Sequence, residues 1–162
     1  PKNNKLTKNA SFVRFKTTAS VSKIIIGGQN WGSGSSREHA AWAIAGYGVR
    51  VVISSSFADI HRNNLLNCFV LPVIVSKEFQ QELFDTIAAN PQAEVKVDVP
   101  NQTVTNLSTG NSETFEINGY KKYCLMNALD DIDFLLENKD KISTFEEGRG
   151  FFTQLPHLFP IL

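Results

Sequence analysis

Residues Ile24–Ile53 read IIIGGQNWGSGSSREHAAWAIAGYGVRVVI. The apolar run at its start, ending at Gly27-Gly28, has the texture of a strand buried on both faces, as in a parallel sheet. A glycine- and serine-rich turn follows. A helix is then expected from about Arg37 to Ala45, with Ser35 and Glu38 forming an S-x-x-E capping box and Gly46 and Gly48 stopping it. Val49–Ile53 is the next buried strand. Ala40, Ala41, Ala43 and Ala45 leave the helix a small face that can press closely on a sheet.

The pattern repeats downstream. Ser54–Ser56 is a second hydroxyl-rich turn, Phe57–Asn67 a second helix and Leu71–Val75 a third strand with Pro72 near its start. Ser76 caps a third helix, Glu78–Ala89, whose Phe79, Leu83, Phe84 and Ile87 give it an apolar stripe. From Asn90 the texture changes: Glu94–Val99, Thr103–Leu107 and Glu113–Ile117 alternate as strands of a small antiparallel meander that Asn118-Gly119 closes. Lys122–Phe145 reads as helical. Upstream, Ser11–Phe15 is a candidate edge strand. The expected fold class is α/β, a mixed sheet flanked by helices, built from a β-α-β-α-β unit, the meander and a helical C-terminal segment. One domain is expected, with a mobile arm over residues 1–10, an α/β core over 11–119 and a helical segment and tail over 120–162. The apolar tail Phe151–Leu162 is expected to dock on this domain or on a partner.

Composition narrows the function. With 162 residues, 42% of them hydrophobic and twelve of them Phe, the chain can bury a substantial core. Sixteen basic residues balance sixteen acidic ones, which argues against a surface built to track nucleic-acid phosphates. No apolar run approaches the ~20 residues that span a bilayer. No charged-then-apolar leader opens the sequence, so neither secretion nor membrane insertion is expected and the expected location is cytoplasmic. A start at Pro1 in place of Met is expected of a fragment or a processed product. The two cysteines, Cys68 and Cys124, lack metal-ligand spacing and are expected to be free thiols that cannot by themselves hold an iron–sulfur cluster.

The chemistry is concentrated between Gly27 and His39. Glycines at 27, 28, 32 and 34 let the backbone approach a ligand. The helix start presents free N–H groups and partial positive charge, suited to a carboxylate or phosphate. Arg37 can grip a carboxylate with two hydrogen bonds, and Ser33, Ser35 and Ser36 bring hydroxyls. The glycines match neither the dinucleotide fingerprint nor the phosphate loop nor the hydrolase elbow. An ordinary helix cap has the same S-x-x-E spacing, and a histidine in a helix start is ordinarily structural. From the residues alone, the stretch is an anion-binding helix N-terminus without a named reaction.

The run GGQNWGSGSSREHAAWAIAGYGVRVVISSSFADIHRNN, followed by LLNCFVLPVIV, resembles the swivel domain of the aconitase superfamily, and within it the small-subunit family of 3-isopropylmalate dehydratase. The elements G-S-S-R-E-H, Y-G, S-F-A-D-I and L-P stand in order at the family's spacing. The stretch ALDDIDFLLENKDKISTFEE extends the resemblance to about Phe12–Glu147. By that resemblance Ser35 is the base that takes a proton from a substrate carbon, and would serve as N-cap at another moment. Ser36 and Gly34 bind substrate, Arg37 holds a substrate carboxylate, and Glu38 and His39 support them. No metal ligand is implied here: the [4Fe–4S] cluster is expected on a large subunit, the partner in a heterodimer or larger complex. The substrate implied is a small hydroxy-dicarboxylate, with no nucleic acid and no membrane.

The implied reaction is the hydro-lyase interconversion of 2- and 3-isopropylmalate through 2-isopropylmaleate in leucine biosynthesis. Its rivals are a related dehydratase acting on homoaconitate or a methylmalate, and a non-catalytic anion-binding module. Two departures stand out. Ser33 occupies a position where many small subunits have cysteine, one that is not a cluster ligand. The D-T-D-like segment and specificity loop that usually open the family are absent before Ser11, either removed or left out of this sequence. His61, Asn63 and Asn64 fall on the second helix, where substrate or partner contact competes with solvent exposure and packing as their role.

Overall fold

The computed structural model describes residues 12–13 and 23–149. The expectations for the arm over 1–10 and for the tail Phe151–Leu162 lie outside the described residues. Among the described residues, four strands form one mixed sheet in the order β1-β2-β3-β4: β1 (Phe12–Val13), β2 (Ile24–Gly27), β3 (Val51–Ser54) and β4 (Leu71–Ile74). β1 runs antiparallel to β2, whereas β2, β3 and β4 are parallel, with Ile25 opposite Val52 and Ile53 opposite Val73. Parallel strands need long crossovers, and here these are α1 (Glu38–Gly46) and α2 (Asp59–Asn67).

The sheet is buried on both faces, which is why its strands read as unbroken apolar runs and not as an alternation. Ile24, Ile26, Val51, Ile53, Leu71 and Val73 pack with Phe79, Leu83 and Ile87 of α3 (Lys77–Ala89). Ile25 and Val52, one residue out of phase, pack with Ala41, Leu65 and Phe57 on the α1–α2 side. Ala41 is fully buried, as the small-faced helix requires. The meander forms a separate three-stranded antiparallel sheet, β5 (Val95–Asp98), β6 (Thr103–Asn106) and β7 (Ser112–Thr114), and sends Val104 and Phe115 into the α3 side of the core. Ser76 caps α3 as expected, accepting from the Phe79 amide at 3.1 Å.

Several boundaries differ from the sequence reading, three of them for a visible reason. α2 begins at Asp59 instead of Phe57, because Phe57 is drawn into a parallel bridge with Trp31. Asn118 does not end the meander but caps α4 (Gly119–Asn127), its side-chain oxygen accepting from the amides of Tyr120 and Lys121. The C-terminal segment is three helices, since α5 (Asp131–Glu137) opens on a capping box of Asp130 and Asp133 and α6 spans Lys139–Gly148.

Candidate active site

The loop from Gly28 to Arg37 leaves the end of β2 and is held to the end of β3. The Trp31 amide donates to Ser56 O at 3.0 Å, Trp31 O accepts from the Ala58 amide at 2.9 Å, and the Asn30 amide donates to Ser56 Oγ at 2.8 Å. Ser54, fully buried, places its Oγ 2.8 Å from both Gly28 O and Ser56 O, so its one proton is shared between them. The Gln80 amide group reaches up from α3 to donate to Gly27 O. Every anchor is a backbone group of the loop, and the result is a fixed platform.

Two glycines are needed by this packing. A Cβ on Gly27 would lie 2.1 Å from the Trp31 ring, so only glycine lets the indole lie on the strand end. Gly32 has φ +85°, a conformation that disfavours side chains, and a Cβ there would meet His61 at 2.3 Å. Gly34 differs: a Cβ on it meets nothing within 4 Å, so the backbone is open at the centre of the loop.

The capping box expected from Ser35 and Glu38 does not form. α1 starts one residue later than expected, with Arg37 in the N-cap position and without a side-chain cap. Ser35 Oγ instead accepts from the Arg37 amide at 3.2 Å, a turn spanning two residues. The reason is local: the positive φ at Gly32, and the Ser35 amide bonding back to Gly32 O at 3.4 Å, turn the chain before Ser35, so Glu38 is the first residue of the helix and not the third after its cap. Ser35 is therefore not the N-cap. The stop is sharper than the start. Gly48, at φ +95°, closes α1 while the Gly48 and Val49 amides return to Ala45 O and Ile44 O.

Ser35 is half-buried, whereas Gly34, Ser36, Arg37, Glu38 and His39 are exposed. The loop brings Ser35, Ser36 and Arg37 together at the N-terminus of α1, whose end carries partial positive charge although the Ala40 amide already donates to Arg37 O at 3.1 Å. Arg37 takes part in no ion pair among the described residues. Such a set can bind a carboxylate and hold a hydroxyl beside it. Glu38 and His39 follow at the start of α1. His39 packs at a tilt against exposed Trp42, with ring centroids 4.6 Å apart and planes at 51°. Burial pushes the Cys68 thiol up, and the Glu38 carboxylate adds to that rise.

Of the residues that hold the loop, only His61 and Asn64 stand out in the sequence, as contact or packing candidates on the second helix. Ser54 and Ser56 could be found in the sequence only as a second hydroxyl cluster at a strand end. His61 and Asn64 have a spacing of three on α2, which places them on one face. Gln80 carries no sequence signal at all. Among the described residues, no group of three or more His, Cys, Asp or Glu side chains is placed to hold a metal ion. Nor is any described helix long and apolar enough to cross a membrane.

Comparison with known proteins bears on the family. The family profile of the aconitase C-terminal domain matches residues 3–78, and the LeuD_N profile matches residues 81–119. A 3-isopropylmalate dehydratase small subunit from Azobacteroides pseudotrichonymphae is 52% identical over 139 residues, covering 86% of this chain and 71% of that protein. The small subunit from Cytophaga hutchinsonii is 50% identical over 133 residues, covering 82% of this chain and 66% of that protein. Thus the chain spans about two thirds of the length of such relatives. A crystal structure of 3-isopropylmalate dehydratase (leuD) from Methanocaldococcus jannaschii superposes with a TM-score of 0.58 at 26% identity, covering 76% of this chain and 70% of that one. On the strength of these matches, the chain belongs to the 3-isopropylmalate dehydratase small-subunit family of the aconitase superfamily.

Proposed function

We propose that this chain is the swivel half of a heteromeric hydro-lyase that interconverts 2- and 3-isopropylmalate through 2-isopropylmaleate. The observation that carries the reading is the loop itself. Ser35, Ser36 and Arg37 lie together at a helix N-terminus, on a loop anchored through its backbone at Gly28, Asn30, Trp31 and Ser36, in a chain 52% identical to a small subunit of that enzyme. A small subunit implies a large one.

Within that reading each residue has a task. Arg37 and the first-turn amides of α1 bind one substrate carboxylate and orient the carbon chain. Ser36 donates to the same substrate. Ser35, as alkoxide, takes the proton from the carbon adjacent to the one bearing the hydroxyl. The C–H electron pair becomes the C=C bond as hydroxide departs; hydroxide then adds at the carbon that lost the proton while Ser35 returns its proton to the carbon that bore the hydroxyl, which completes the isomerisation. An alkoxide is a strong base that needs positive potential, and the helix terminus with Arg37 supplies it. Gly34, open to its surroundings, lets substrate reach the backbone.

The [4Fe–4S] cluster, which would supply Lewis-acid help to the departure of hydroxide, does not fit on this chain. Its two cysteines are too few for a [4Fe–4S] cluster, and Cys124 is buried. The cluster is assigned to the large subunit, and the chain is half of an active site that acts in the cytoplasm. The test is hydration of 2-isopropylmaleate by the chain alone and with an anaerobically prepared, cluster-loaded large subunit. Turnover in the mixture and none in either part supports the reading, and a silent mixture would sink it.

A further inference from the structure

His61 is 3% exposed in α2, and neither Nδ1 nor Nε2 has a hydrogen-bond partner among the described residues. A buried polar group without a partner weakens the fold, so such a residue calls for an explanation. The explanation lies in what its ring touches. A Cβ on Gly32 would come within 2.3 Å of both Cγ and Cδ2 of His61, which means that the backbone of Gly32 rests directly on the imidazole. Three residues on, the Ser35 amide donates to Gly32 O. One turn further along α2, Asn64 Nδ2 donates to Ser36 O at 3.3 Å. The same face of α2 therefore meets the serine loop at Gly32 and at Ser36, the two residues that bracket Ser35.

We propose that His61 is a positioning residue: its ring is the plate on which Gly32 rests, and together with Asn64 it fixes the loop that carries Ser35. The inference deepens the proposed function and rests on it for the identity of the base. The ring acts by shape, since both nitrogens are unpartnered. Phenylalanine, planar and of similar size, can take its place, whereas alanine leaves Gly32 without support. Displacing a reacting group by about 1 Å lowers a rate by about a hundredfold.

The test uses the full chain with the cluster-loaded large subunit, hydrating 2-isopropylmaleate. His61→Ala is expected to lower kcat by about tenfold to a hundredfold while KM changes by less than about threefold, because the carboxylate grip of Arg37 is left in place. His61→Phe is expected to restore kcat to within about threefold of the parent. Parent-like kcat in His61→Ala, or a loss in His61→Phe as large as in His61→Ala, would overturn the inference. Circular dichroism checks folding. If the alanine variant is unfolded, His61→Leu, which fills the space without a flat face, replaces it with the same expectation and the same overturning result. If the parent mixture itself is inactive, the proposed function fails and the inference is decided separately by amide NMR of the free chain. There His61→Ala should shift Gly32, Gly34 and Ser35 and leave Val104 and Phe115 unmoved, whereas an unshifted loop would overturn it.

Discussion

The backbone amide of Arg37 donates to the hydroxyl oxygen of Ser35 at 3.2 Å. This one contact makes Ser35 a turn former outside the helix and not its cap, and it orients the hydroxyl beside the exposed N-terminus of α1. Because the contact is partly solvated and neutral, it contributes little to folding. Ser35→Ala is expected to change unfolding free energy by less than about 1 kcal/mol, measured by urea titration. A larger loss would mean that Ser35 is mainly structural.

Gly32 and Gly34 lie two residues apart in one loop and should answer substitution differently. Gly32→Ala meets the His61 ring at 2.3 Å and forces a side chain onto φ +85°. It should destabilise the chain by more than about 1 kcal/mol, seen as a lower urea midpoint. Gly34→Ala meets nothing within 4 Å and should leave that midpoint unchanged. Any activity it loses in the assembled enzyme would then come from blocked approach of substrate to the backbone.

Burial lowers the pKa of His61 from its ordinary value of 6.5. Below that pH the unfolded chain takes up a proton that the folded chain resists, so unfolding binds protons and stability falls as pH drops from about 6.5. Above it the imidazole is neutral in both states and contributes no slope. His61→Phe should flatten the stability profile between pH 7 and pH 5, measured by thermal melts across that range. An unchanged slope would show that His61 is protonated as easily folded as unfolded.

Gln80 ties α3 to the last residue of β2 by donating to Gly27 O, and it is itself buried. Gln80→Leu removes the donor and leaves a buried carbonyl unpaired, which costs about 1–3 kcal/mol. Native-state hydrogen exchange should quicken at Gly28–Trp31 more than in the meander.

Much of this was legible in the sequence because it depends on periodicity. The unbroken apolar runs at Ile24, Val51 and Leu71 mark strands covered on both faces, and the alternation after Glu94 marks a meander with one face covered. The composition of Gly27–His39 pointed to the site, and the family motif named Ser35, Ser36 and Arg37. The helix start was misread because S-x-x-E spacing is blind to a positive φ three residues upstream, and Gly32 moves Ser35 out of the cap position. Phe57 was read as helical because a bridge to Trp31, 26 positions earlier, leaves no local trace. Of the supports of the loop, His61 and Asn64 stood out in the sequence only as contact or packing candidates, and Ser54 and Gln80 were hidden, since each acts across the fold on the backbone of another segment.

The central claim is that Ser35 is the base of a shared active site. The most direct test is the steady-state hydration of 2-isopropylmaleate by Ser35→Ala with the cluster-loaded large subunit, beside the parent chain. Loss of a positioned base should lower kcat by about 10²–10⁴-fold, with KM within a few-fold and subunit association intact. Turnover by Ser35→Ala within a few-fold of the parent would contradict Ser35 as the base.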